Sequence, residues 1–150
     1  MVRRDRIEMT PEEKLLFYDV CARAPHGLKV KIIDHEDVQT ILTINTNKPR
    51  VCFSTENWHA VYIFDILPYL RPMSSLTDEE IGELSEITHS NIAFNREDME
   101  NSMCLLDGAS IKNNALAIDW FNANHIDYHG LIPKGLALVA LEGMYKNTEQ

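Results

Sequence analysis

Apolar and polar residues change their rhythm several times along this chain of 150 residues, and each change marks an element. Between Pro11 and Arg23, Leu15, Leu16, Val20 and Cys21 fall on one stripe at helical spacing. Thr10 stands at the N-cap, Pro11 at the first helical position where its missing N–H costs nothing, and Glu13 is placed to close a capping box. "APHG" ends this helix. From Leu28 the period becomes two: in "LKVKII", Leu28, Val30 and Ile32 alternate with Lys29 and Lys31, which describes a strand with one buried face. "VQTILTI", "RVCFS" and "HAVYIFDIL" read as three further strands, with "DHED" and "NTNKP" as turns. Four short strands joined by tight turns cannot bury their apolar side as a flat sheet. The expected solution is a small SH3-like antiparallel barrel, with "PYLRP" as its exit.

The period then returns to helical. In "LTDEEIGEL", Thr77 caps, Glu80 completes a capping box, and Leu76 can staple to Ile81. Asp78, Glu79 and Glu80 complement the positive end of the helix dipole. This helix is expected over 78–90, with Ile81, Leu84 and Ile87 or Thr88 inward. "NREDMENSMCLL", within 91–110, fits a strand, a loop or a short helix equally well. A third helix over 114–125 carries Leu116, Trp120 and Phe121 on its packed side. "GLIPKGLALVAL" predicts a turn at Pro133 to Gly135 and a last strand, Leu136 to Leu141, whose six apolar residues imply cover on both faces. The fold class is α+β: an N-terminal helix, the small barrel, then an acidic helical segment with a late strand. Residues 1–72 and 73–150 form the two halves, packed as one compact unit.

Charge changes the picture of what the chain can touch. Residues 1–72 balance ten Lys and Arg against ten Asp and Glu, whereas 73–150 hold four against thirteen and carry the whole net charge of −9. A polyphosphate would be repelled by the second half, so nucleic acid is an unfavoured partner and could be met only by the barrel. Lys48 and Arg50 on a hairpin make a poor basic patch; Arg3, Arg4 and Arg6 are the densest basic run. Cys21, Cys52 and Cys104 are far apart in sequence, without zinc-knuckle spacing, and read as reduced thiols. The charged start "MVRRDRIEMT" lacks a signal-peptide core, and no apolar run approaches the roughly 18 residues of a membrane span. A cytoplasmic protein with no membrane contact is expected.

The pieces "DVCARAPHGLKV", "LPYLRPMSSLTDEE", "AIDWFNANHIDYHGLIPKGLAL" and "EGMYK" together resemble small uncharacterised proteins of Bacteroides-type gut bacteria and their phages. Those proteins share a "PYLRPMSSMTEEE" centre and a "DWLNxHHFDYRGLIxKGLA" end. The resemblance covers nearly the whole chain and implies a phage or mobile-element setting without an activity. His129 departs from it, standing where the family pattern has arginine, which puts in doubt a mechanism needing both His125 and His129.

Candidate chemistry gathers in "DWFNANHIDYHG", residues 119–130. Two histidines four apart, His125 and His129, with Asp119 or Asp127, could chelate a divalent ion and support a metal-assisted hydrolase. The competing reading makes the segment a helix terminus: Asn124 and His125 satisfy the last carbonyls, Asp127 accepts backbone N–H groups, and Gly130 permits a positive φ. A third reading has His125, Asp127 and Tyr128 line a pocket. The pair Cys21 and His26 lacks a third group to hold a base, and no glycine loop has phosphate-cradling spacing. Trp58, in the polar turn "TENWH", and Tyr69 with Arg71 at the barrel exit are residue types that anchor partner proteins. The leading expectation is a non-enzymatic binding or accessory module without a cofactor or metal, whose partner is another protein or a second copy. Nucleic-acid binding by the barrel and the hydrolase are the alternatives.

Overall fold

Helix α1, Pro11–Arg23, begins where its capping chemistry puts it. Glu13 N donates to Thr10 Oγ1 at 3.1 Å, and Thr10 N donates to Glu13 Oε1 at 2.9 Å. The computed structural model in which this is seen describes residues 9–45, 47–53, 60–88 and 111–145. The expectations for Trp58, for residues 91–110, for Cys104 and for the three early arginines lie outside the described residues.

The buried face of α1 is not the one its aliphatic spacing suggests. Leu15 and Cys21 are half-buried, while Leu16, Phe17 and Val20 share the interior with Asp19 and Arg23. Arg23 Nε donates to Asp19 Oδ1 at 2.6 Å and Nη2 to Oδ2 at 3.1 Å, and both side chains are wholly buried. A pair four apart on a helix meets naturally, and pairing in two hydrogen bonds offsets part of the cost of burying the two charges.

The strands that follow are β1 (Lys29–Ile32), β2 (Val38–Thr40), β3 (Thr43–Asn45), β4 (Arg50–Cys52), β5 (Val61–Tyr62) and β6 (Ile66–Leu70). β1 pairs antiparallel with both β2 and β6, and β4 pairs antiparallel with both β3 and β5. Two of the expected strands are therefore each divided. Within "VQTILTI", Ile41 N donates to Leu28 O and Leu42 N to Cys52 O, so adjacent amides bond to different sheets and the chain turns a corner. Within "HAVYIFDIL", a 3₁₀ turn at Ile63–Asp65 carries the chain from β5 to β6; Ile63 N donates to Pro49 O, and Asp65 O accepts from Ile33 N. Strands that change sheet at corners give two open sheets. No closed barrel forms among the described residues. Leu28, Val30, Ile41, Val51, Phe53, Ile63 and Ile66 are buried in this part of the chain.

The chain divides into two compact units between Tyr69 and Leu70. The second unit contains α2 (Asp78–Thr88), α3 (Ile111–Ala123) and the short strand β7 (Leu138–Val139). α2 starts with a capping box: Glu80 N donates to Thr77 Oγ1 at 3.1 Å and Thr77 N to Glu80 Oε1 at 3.0 Å. Leu84 is buried, with Ile81 and Ile87 packed against the core made by Met73, Leu76, Ala117, Trp120, Phe121, Ile126 and Tyr128. Trp120 Nε1 donates to Glu83 Oε1 at 2.9 Å, tying α3 to α2 through an indole that is otherwise buried. The last strand spans two residues rather than six and is not covered on both faces, since Val139 is 53% and Leu141 58% exposed. Backbone bonds to the carbonyls of Leu131 and Ile132 explain the shortening: Lys134 N and Leu136 N both donate to Leu131 O, and Gly135 N donates to Ile132 O, which holds the chain in turns until Ala137. Among the described residues no helix is long and apolar enough to cross a membrane.

Candidate functional site

α3 ends in a pair of crossed backbone bonds. Ile126 N reaches back to Phe121 O at 2.9 Å, and His125 N to Asn122 O at 3.2 Å, the pattern of a Schellman motif. The position between the helix and its continuation must be left-handed. His125 occupies it with φ 57°, where glycine is the usual choice. A side chain there costs about 1 kcal/mol or more, and His125 offsets that cost by stacking on Tyr145, with ring centroids 4.0 Å apart and planes 23° apart. Its backbone carbonyl accepts from Arg71 N at 2.8 Å, and Arg71 O accepts from Asp127 N at 2.8 Å. The stop is thus locked to Arg71, within the second unit.

The other polar groups of 119–130 are used the same way. Asn124 Nδ2 donates to Trp120 O at 2.9 Å. Asp127 accepts Leu131 N on one oxygen at 2.8 Å and Ile132 N on the other at 2.9 Å, while almost wholly buried. Tyr128 donates its hydroxyl to Asn122 Oδ1 at 2.7 Å, and its ring stacks on Phe121. Gly130 has φ 70°, which the turn requires. His129 lies against the Tyr128 ring, whereas His125 lies against Tyr145, so the two imidazoles have different neighbours. Asp119 is exposed on α3. Among the described residues no group of three or more His, Cys, Asp or Glu side chains is arranged to hold a metal ion.

Arg71 and Tyr69 part company. Tyr69 is buried near the end of β6, where Pro68 and Leu70 are buried too, and does not serve as the exposed anchor its loop-like context suggested. Arg71 meets Glu80 face to face, with Nη1 to Oε2 at 2.8 Å and Nη2 to Oε1 at 2.7 Å, and Nη2 also donates to Ser75 O at 3.2 Å. The hydrogen bond from Arg71 holds the Glu80 carboxyl below its ordinary value, with burial opposing the shift and the Thr77 amide assisting it. Cys21 is half-buried, and desolvation pushes its thiol up, away from the thiolate a nucleophile needs.

Arg71 also borders an open groove of about 600 Å³, whose walls are Pro72, Ser75 and Thr77 on one side and residues 139–145 on the other. Val139 and Leu141 are exposed there beside Glu142 and the half-buried Tyr145. Arg71 is legible as a candidate in the sequence and the opposite wall is not, because "LALVAL" carries no polar residue to mark its open side. No family model, curated protein or solved structure matches the chain.

Proposed function

We propose that the chain is a non-enzymatic protein-binding module whose second unit receives its partner in the groove between residues 71–77 and 139–145. The observation that carries this reading is the pair of aliphatic side chains, Val139 and Leu141, left more than half exposed on one wall of that groove. Adjacent exposed aliphatics at a concave site are a common mark of a binding surface. Commitment of the nearby polar groups supports binding over catalysis: Asp127 is occupied by two backbone amides and Arg71 by Glu80. The first unit, with its short strands and its two corners, would act as an SH3-like scaffold. The resemblance to proteins of gut bacteria and their phages favours a cytoplasmic partner of host or phage origin.

Panning the purified chain against a displayed random-peptide library tests the proposal. Enriched peptides should bind the native chain and lose binding to Leu141→Asp, a substitution on an exposed side chain that leaves the fold intact. Peptides that bind both forms equally, or an absence of enrichment, would remove the groove as the binding site.

A further inference from the structure

Resting on that binding role, we infer that the groove's occupant is an extended segment of a partner protein, alternating apolar and basic residues, that adds as a strand beside β7. Ala140 N donates to Leu70 O at 2.7 Å. Successive backbone groups of an extended strand point to opposite sides, so Val139, one residue earlier, turns its N–H and C=O away from Leu70. An extended segment laid along that side can exchange hydrogen bonds with Val139 while alternate side chains reach Leu141 and Tyr145, the mode of recognition known as strand addition.

The sign of the partner's charge follows from what surrounds the groove. Arg71 contributes the cation, and Glu80 matches it in a two-pronged pair. Glu142 remains, exposed on the opposite wall. Glu79, also exposed, lies two residues beyond the groove residue Thr77. The whole of 73–150 carries −9. Glu142 beside an apolar floor attracts lysine or arginine on the outward positions of a strand whose inward positions are aliphatic, and repels the acidic equivalent.

The probes are three short labelled peptides: one alternating valine and lysine, one alternating valine and glutamate, and a copy of the first N-methylated on alternate amides. Binding to the full chain is read by fluorescence anisotropy at low and high salt, with the native chain, Leu141→Asp and Glu142→Lys compared. The valine–lysine peptide should bind, weaken with salt, weaken about fivefold in Glu142→Lys, and lose binding in Leu141→Asp. N-methylation should reduce its affinity by about tenfold or more by removing the strand's donors. Equal binding of the glutamate peptide, or indifference to N-methylation, would overturn the inference yet leave the groove as a binding site if Leu141→Asp still abolished it. Failure of the lysine peptide to bind at low salt would also overturn the inference, while the library selection independently judges the groove.

Discussion

Replacing Asp127 by asparagine asks directly whether that carboxylate holds the chain or awaits a reaction. Each oxygen accepts one backbone amide, from Leu131 at 2.8 Å and Ile132 at 2.9 Å, inside a side chain almost fully removed from water. Asparagine keeps one acceptor and turns an NH₂ toward the other amide. One buried N–H is then left unsatisfied, at about 1–3 kcal/mol, and the remaining bond loses its ionic character. A destabilisation of about 2–3 kcal/mol is expected, and more for Asp127→Ala, which strands both amides. Urea unfolding followed by circular dichroism measures it, with the exposed Asp119→Asn as a control expected within about 0.5 kcal/mol of the native chain. If Asp127→Asn proved as stable as the control, the carboxylate would not be holding the turn, and its assignment as a structural group would fail.

Asp19→Asn should cost about 3 kcal/mol in the same urea assay, because it removes the carboxylate that holds the buried Arg23 in two hydrogen bonds; a change within about 0.5 kcal/mol would contradict that pairing. Because the Glu80 carboxyl is held below its ordinary value when folded, its contribution is complete above the ordinary carboxylate range. It is lost as pH falls through the lowered value, so Glu80→Gln should flatten the acid limb of a stability–pH curve; an unchanged limb would contradict the Arg71 assignment. Trp120→Phe removes the indole donor to Glu83 while keeping an aromatic ring, and about 1 kcal/mol of stability should go with it. His125→Gly should lower the melting temperature less than His125→Val, since glycine adopts the left-handed backbone at that position without strain and a β-branched side chain does not.

Local chemistry made parts of this fold readable in advance. Thr10 with Glu13 and Thr77 with Glu80 are short-range reciprocal bonds, so the starts of α1 and α2 follow from a few neighbouring residues. Alternation placed β1 and β4 as well. It could not show that Ile41 and Leu42 bond to different sheets, because both are apolar and the choice depends on Leu28 and Cys52. The burial of Asp19 and Arg23 was hidden for a related reason: a charged pair looks solvated until its surroundings are known. In 119–130 the sequence offered a metal site and a helix terminus with the same residues. The crossed bonds at Phe121 and Asn122 and the amides on Asp127 assign those residues to the terminus. The groove was the least visible, since its two walls lie more than sixty positions apart along the chain.

The central claim is that the working surface is the groove, while 119–130 holds the backbone. An amide NMR spectrum of the isotope-labelled full chain, titrated with a peptide from the library selection, separates the two. The account predicts the largest shifts at the amides of 71–77 and 139–145, with those of Asp127 and Tyr128 nearly still. The largest shifts at 125–129, with 139–145 unmoved, would contradict it.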